Sequence, residues 1–129
     1  MKNVILLSAA IFAFGTITAP IAYSSEGEKV QHYEAKEFSN TKDAFEALIT
    51  TSNEMASIAA DTELDGTKME KIHQISYTTE NAVATLKAGD TLAAALEEVH
   101  LASEEHDPSD LKNKFIAYQA ELNSFLAKK

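Results

Sequence analysis

The sequence predicts an all-α fold, a small antiparallel four-helix bundle that follows a cleaved signal peptide. After residue 24 the chain contains three glycines and one proline, and each of them can lie outside a helix. Between these residues, apolar side chains recur with the 3-4 spacing of amphipathic helices. Ala, Glu and Lys dominate these segments, and they contain no alternating β-branched run, which disfavours strands.

The first 24 residues have the three parts of a secretory signal peptide. Lys2 supplies the positive start, residues 4–17 form an apolar run, and Ala22 and Ser24 are the small residues before a cleavage site. The run is shorter than the roughly 20 residues that span a bilayer. We therefore expect cleavage after Ser24, a periplasmic protein and no stable membrane insertion after cleavage.

Residues 25–40 are polar and charged without a helical period, so we expect a flexible N-terminal arm before a bundle at residues 41–129. Helix 1 is expected from about Thr41 to Ala60, with Asn40 as a cap. Helix 2 follows the loop at 61–66 and runs to Gly89, with Thr67 and Glu70 as a capping box. The predicted inner faces are Ala44, Leu48, Thr51, Met55 and Ile58 in helix 1, and Met69, Ile72, Ser76, Thr79, Val83 and Leu86 in helix 2.

Helix 3 is expected to start at an Asp90 cap and to end near Asp107, which in turn caps helix 4 with Pro108 in its first turn. The short connections favour antiparallel neighbours. The predicted inner faces are Leu92, Leu96, Val99, Ser103 and His106 in helix 3, and Leu111, Phe115, Tyr118, Leu122 and Phe125 in helix 4.

Composition excludes several classes of function. The chain is acidic, with 11 Lys, no Arg, 20 Asp and Glu and a net charge of −9, so we expect no nucleic-acid binding. The absence of Cys excludes disulfides, thiol catalysis, iron–sulfur clusters and covalently attached c-type haem. Nucleophile-elbow, zinc-protease and P-loop motifs are also absent, so we expect no enzymatic activity.

Two Glu-x-x-His units, Glu70 to His73 and Glu97 to His100, place a carboxylate and an imidazole on one helix face. Such units meet in di-iron helical bundles. Counting residues from a turn at Gly89, however, predicts an axial offset of roughly 7–8 Å between His73 and His100. The two imidazoles are then expected to miss each other, which disfavours a buried di-iron site.

A looser metal site on the flank of helices 2 and 3 is the favoured alternative. His100 is expected level with Tyr77 and Glu80, and His73 is expected to face Glu104 or His106. Imidazole with carboxylate suits Cu(II), Zn(II) or Ni(II). The predicted metal ligands are His73, Glu80, Glu97, His100 and Glu104, and the other residues of this seam, structural or binding, are Ser76, Tyr77, Asn81 and Ser103.

Two other functions stay open. The same seam could be purely structural, with His–carboxylate hydrogen bonds that pair the helices in a stress-related or protein-interaction bundle without a small ligand, whose acidic surface meets a basic partner. A b-type haem carrier would use Met55 or Met69 with His100 or His106 as axial ligands.

Two sequence blocks carry a resemblance to a known family. Residues 72–82 read IHQISYTTENA and residues 96–104 read LEEVHLASE. They resemble a family of short secreted helical proteins of Gram-negative bacteria that is classed as a domain of unknown function, over about residues 40–127. The resemblance implies a periplasmic location and a helical fold without assigning an activity, and all the predicted ligands and seam residues lie in its two blocks.

Overall fold

The computed structural model describes residues 33–129, so the predicted signal peptide and residues 25–32 of the predicted arm lie outside the described residues. Four helices follow one another, which confirms the all-α four-helix bundle. They are α1 (Thr41–Ala59), α2 (Gly66–Leu86), α3 (Asp90–Glu105) and α4 (Pro108–Ala127). Among residues 33–129, none of the helices has the combined length and apolar character that crossing a membrane requires.

The helices pack in chain order around one apolar core. α1 lies along α2, α2 along α3 and α3 along α4, whereas contact between α1 and α4 is slight. The five residues expected on the inner face of helix 4 are all buried, as predicted. Burial of these side chains from water is the main force that holds the four amphipathic helices together.

The inner face of α1 differs from the prediction at two positions. Ser52 and Ala59 are buried, whereas Thr51 and Ile58 are half-buried. Ser52 can enter the core because its hydroxyl lies 2.6 Å from that of Tyr118 on α4 and forms a hydrogen bond with it. Ser52, whose hydroxyl has a buried partner, therefore occupies the inner-face position that was predicted for Thr51.

Two of the four helix starts have the N-cap that the sequence predicts. Asn40 caps α1 and Asp107 caps α4, each accepting a hydrogen bond from a backbone N–H of the first turn, as expected. The capping box predicted for helix 2 is wrong, because Asp65 caps α2 by accepting from the backbone N–H of Lys68 at 2.9 Å. Aspartate ranks above threonine as an N-cap, and this cap places Thr67 inside the helix.

The start of α3 also differs from the prediction. Gly89, with φ of 113°, is the N-cap, and Asp90 is already in the helix. The chain needs a glycine here because a side chain at this φ would be strained.

The predicted inner position of His106 is wrong. His106 follows the last residue of α3, is exposed and has a left-handed φ of 59°. The helix ends before it, so the 3-4 spacing no longer fixes where its side chain points. Lys87, directly after α2, has a similar left-handed φ of 50°.

Residues 33–40, which we call the docked segment, contain no helix and lie along α2. The backbone N–H of Lys36 donates to Oγ1 of Thr78 at 3.1 Å, and its carbonyl accepts from Nδ2 of Asn81 at 3.0 Å. Phe38 is half-buried against the core. This part of the chain is thereby attached to the bundle through both backbone and side-chain contacts.

Candidate metal site between α2 and α3

Two buried histidines meet at the interface of α2 and α3. His73 is 1% exposed and His100 is 8% exposed, and their ring centroids lie 5.0 Å apart. The prediction that they would miss each other is wrong because the loop residues add little to the axial distance. His73 lies 13 residues before the end of α2 and His100 lies 10 residues after the start of α3. That difference corresponds to an offset of about 4.5 Å, which two imidazole side chains can span.

Glu104 lies between the two rings. Its Oε2 atom is 3.3 Å from Nε2 of His73 and 3.0 Å from Nε2 of His100. His100 and Glu104 are four residues apart on α3, so the helix itself places them on one face. The expected facing of His73 and Glu104 is confirmed, whereas His106 is exposed at the end of α3.

The Nδ1 atom of each ring contacts a further carboxylate, a different one for each histidine. Nδ1 of His73 lies 3.2 Å from Oε2 of Glu70, and Nδ1 of His100 lies 2.6 Å from Oε2 of Glu80. The level pairing of His100 with Glu80 is as predicted. Each imidazole therefore lies between two carboxylates, and Nε2 of His73 also lies 3.2 Å from the hydroxyl of Tyr77.

The hydrogen-bonding capacity of imidazole limits what this arrangement can satisfy. A neutral imidazole has one N–H and one lone pair, so it can donate to only one of two carboxylates. If Nδ1 carries the hydrogen, the Nε2 lone pair of His73 can accept from the hydroxyl of Tyr77 at 3.2 Å, and that of His100 lies 3.0 Å from Oε2 of Glu104. A cation between the two Nε2 atoms and Glu104 would bind both lone pairs and the carboxylate.

The carboxylates around the rings contribute to raised pKa values of His100 and Tyr77. The hydrogen bond to Glu80 raises the pKa of His100, although burial acts in the opposite direction. Tyr77 lies beside both rings, with its hydroxyl 3.2 Å from Nε2 of His73. Burial raises the pKa of Tyr77, and the charges of Glu104 and Glu80 raise it further, so the phenol stays protonated near neutral pH.

The five predicted ligands fall into two overlapping groups, and in each group the ligand atoms lie within 4.8 Å of one another. One group is His73, His100 and Glu104, and the other is Glu80, Glu97 and His100. The first group has two buried histidines, whereas Glu97 in the second is exposed. In the first group, moreover, each histidine is oriented by a separate carboxylate at its Nδ1 atom. The first group is therefore the better-organised candidate.

The serines of the seam support the backbone next to each histidine. The Ser76 hydroxyl donates to the carbonyl of His73 at 2.7 Å, and the Ser103 hydroxyl donates to the carbonyl of His100 at 2.5 Å. Both serines are fully buried at the interface. Their hydroxyls are satisfied by their own helices, and their small size allows the helices to approach closely.

The remaining residues named from sequence lie elsewhere. Asn81 binds the docked segment through Lys36 rather than either ring. Met55 and Met69, the sulfur ligands of the haem alternative, are buried in the apolar core.

Sequence reasoning missed two residues of the site. The hydroxyl of Tyr33, in the docked segment, donates to Oε2 of Glu70 at 2.6 Å, the same oxygen that contacts His73. The Tyr33 ring lies edge-on to His73, with centroids 5.7 Å apart. The Glu-x-x-His spacing had already placed Glu70 on the helix face of His73, although the predicted ligands and seam residues omitted it. Nothing in the pattern of residues 25–40 distinguished Tyr33.

Comparison with known proteins identifies a family and no closer relative of known activity. No curated protein and no solved structure shows a significant match to the chain. A family model described as a family of unknown function, DUF6746, matches residues 1–127. The chain, which folds as a four-helix bundle with two histidines and three carboxylates in contact between α2 and α3, therefore belongs to the DUF6746 family.

Proposed function

We propose that this protein is a non-enzymatic periplasmic bundle that binds a divalent transition-metal ion through His73, His100 and Glu104. The observation that carries the proposal is the convergence of two Nε2 atoms on one carboxylate while each Nδ1 contacts another carboxylate. If both Nδ1–H groups donate to Glu70 and Glu80, each Nε2 carries a lone pair that can bind an ion. The Tyr77 hydroxyl, 3.2 Å from Nε2 of His73, must then turn away from that lone pair.

The distances between the ligand atoms support a tetrahedral ion. Zinc is bound at about 2.0–2.1 Å by histidine nitrogen and at about 2.0–2.2 Å by carboxylate oxygen, so two such ligands at a tetrahedral angle lie about 3.3–3.5 Å apart. The Nε2 atoms of His73 and His100 lie 3.3 and 3.0 Å from Oε2 of Glu104. These two distances are within about 0.5 Å of the tetrahedral value. The ligand atoms of the two histidines lie within 4.8 Å of each other. Two nitrogens and one oxygen suit Zn(II), Cu(II) or Ni(II).

A structural role without a metal is the second candidate, and one observation favours it. The pKa of His100 is raised by Glu80, so a protonated ring can satisfy the same carboxylates that would orient a ligand. In that case the contacts fix the pairing of α2 with α3, and the acidic surface is left for a basic protein partner. A titration with metal ions distinguishes the two functions.

Thermal unfolding of the metal-free chain from residue 25 to 129, repeated with Zn(II), Cu(II) or Ni(II), tests the proposal. An ion at about 100 times its dissociation constant stabilises the fold by roughly 2.7 kcal/mol, which raises the Tm by about 10 °C in a domain of this size. His73→Ala and His100→Ala should each weaken binding at least about tenfold, equivalent to about 1.4 kcal/mol.

His106→Asn is the matched control, because His106 is exposed and asparagine tolerates its left-handed backbone. This variant should bind the ion as the parent does. Absence of a shift with all three ions, or unchanged affinity in both alanine variants, contradicts the proposal and leaves the structural role.

The periplasmic location is supported by the charge, apolar run and small residues of the first 24 positions. Expression of the full chain in a Gram-negative host, followed by osmotic shock, should release a protein whose first residue is Ser25. A full-length product in the cytoplasm or in the membrane fraction would contradict this part of the proposal.

A further inference from the structure

We propose that the docked segment, residues 33–40, is a strap that retains the metal ion, and that Tyr33 is a positioning residue that acts through Glu70. The inference rests on the proposed function, since it concerns the stability of the ion in the same site. It adds a part of the chain outside the helices, which the proposed ligand set does not include.

Tyr33 connects the docked segment, through Glu70, to the proposed ligand His73. Its hydroxyl donates to Oε2 of Glu70 at 2.6 Å, and the same oxygen lies 3.2 Å from Nδ1 of His73. Donation from Tyr33 fixes the carboxylate where it can accept a hydrogen bond from Nδ1. A proton held on Nδ1 leaves Nε2 of His73 unprotonated, which is the form that binds metals.

The Tyr33 ring also contributes to the enclosure of the site. It lies edge-on to His73 and to Tyr77, with centroid separations of 5.7 and 6.2 Å. His73 is almost completely buried. Tyr33 therefore covers part of the His73 ring on the side of the docked segment.

The anchors of the strap lie away from the proposed ligands. Lys36, three residues after Tyr33, donates its backbone N–H to Thr78 and accepts at its carbonyl from Asn81. Both partners are on α2, and their hydrogen bonds to the segment run through side-chain atoms. Removing these two side-chain groups therefore loosens Tyr33 without changing Tyr33 itself or a proposed ligand.

Reciprocity gives the inference an independent readout. If docking of the segment strengthens ion binding, ion binding must strengthen docking by the same factor. The backbone N–H of Lys36 is hydrogen-bonded only while the segment is docked against Thr78. Its hydrogen exchange should therefore slow down when the ion is bound.

The experiment measures ion release from the chain of residues 25–129, loaded with whichever of Zn(II), Cu(II) or Ni(II) stabilises it, into an excess of a coloured chelator. Two variants are compared with the parent: Tyr33→Phe, and Thr78→Val combined with Asn81→Ala. Loss of a group that orients a ligand typically costs 10–100-fold in affinity, and Tyr33 acts one step further out. We expect release to be at least about threefold faster in both variants.

Asn123→Ala, an exposed substitution on α4, is the matched control and should release the ion at the rate of the parent. Circular dichroism of the metal-free proteins separates an effect on the site from unfolding. The Lys36 amide should exchange more slowly in the ion-bound parent than in the metal-free parent, as measured by NMR or mass spectrometry.

The outcomes separate the strap from the ligand set. If the parent binds an ion and depends on His73 and His100, but both variants release it at the rate of the parent, the strap is overturned and the proposed function stands. An unchanged exchange rate at Lys36 overturns it in the same way. If the parent binds none of the three ions, both the proposed function and the strap are overturned.

Discussion

The imidazole rings of His73 and His100 lie 5.0 Å apart, although 27 positions separate the two residues in the chain. The turn at residues 87–89 reverses the chain between them, and Glu104 lies one helical turn beyond His100. A single carboxylate oxygen thereby reaches both rings. The helices α2 and α3 thus supply the proposed ligands. The docked segment contacts the site from outside the four helices, through the hydrogen bond from Tyr33 to Glu70.

Glu104→Gln should lower metal affinity at least about tenfold, equivalent to about 1.4 kcal/mol. The amide keeps the size of the side chain but removes the charge that compensates the ion and attracts both imidazoles. Glu105→Gln, at the exposed neighbouring position, is the control and should leave the affinity unchanged. Isothermal titration measures both. Equal affinity in the two variants would exclude Glu104 from the ligand set.

The metal-free protein should lose stability as the pH rises above about 6.5. The pKa of His100 is raised in the folded state, mainly by the hydrogen bond to Glu80. A raised histidine pKa contributes stability that is fully present below the unfolded value, near 6.5, and that is lost as the pH rises through the folded value.

Glu80→Gln removes the main cause of that shift, so its Tm should depend less on pH between 6.5 and 8 than that of the parent. Glu54→Gln, exposed on α1, is the control and should keep the pH dependence of the parent. Thermal melts at several pH values in the presence of a chelator measure the effect. Parallel curves for the parent and Glu80→Gln would contradict the assigned cause.

Ser52→Ala should reduce the free energy of unfolding by about 1–3 kcal/mol, because it leaves the buried hydroxyl of Tyr118 without its partner. The burial of this phenol is strong enough to raise the pKa of Tyr118 to about 12. Urea denaturation measures the loss. Ser57→Ala, exposed on α1, is the control and should change the stability little.

The double variant Ser52→Ala with Tyr118→Phe should lose less stability than the sum of the two single variants, since it removes both polar groups at once. Additive losses would mean that the hydrogen bond contributes no coupling between α1 and α4.

Lys87→Gly should increase the free energy of unfolding by about 0.5–1 kcal/mol. Lys87 has a left-handed φ of 50° directly after α2, a position that glycine occupies without the steric cost of a Cβ atom. Lys71→Gly, at an exposed position inside α2, should instead lower the stability by about 0.5–1 kcal/mol. A higher urea midpoint for Lys87→Gly together with a lower midpoint for Lys71→Gly would confirm the left-handed conformation at residue 87. A lower midpoint for both variants would contradict it.

The sequence was sufficient to predict features that depend on local spacing. The inner face of α4 and the caps at Asn40 and Asp107 follow from the 3-4 period and from side chains that bond to nearby backbone groups. The pairing of His100 with Glu80 followed from counting residues across one turn.

Features that depend on tertiary contacts could not be predicted in the same way. The separation of His73 and His100 depends on how far the turn advances along the helix axes, which residue counting overestimates. Thr51 and Ser52 fit the same amphipathic pattern, and the hydrogen bond that satisfies Ser52 in the core comes from Tyr118 on another helix. Tyr33 lies in a segment without periodicity, so its contact with Glu70 had no local signal.

The adjacent hydroxyls of Thr51 and Ser52 bond to two different helices. Thr51 accepts a hydrogen bond from Thr79 of α2 at 2.8 Å, while Ser52 bonds to Tyr118 of α4 at 2.6 Å. A shift of α1 by one turn, about 5.4 Å, would separate both pairs at once. Thr51 and Thr79 would keep hydrogen bonds to backbone carbonyls of their own helices. The buried hydroxyls of Ser52 and Tyr118 would lose the hydrogen bond that joins them, and a buried hydroxyl left unpaired costs about 1–3 kcal/mol. A polar contact thus adds to apolar packing in setting the longitudinal register of α1 against the bundle.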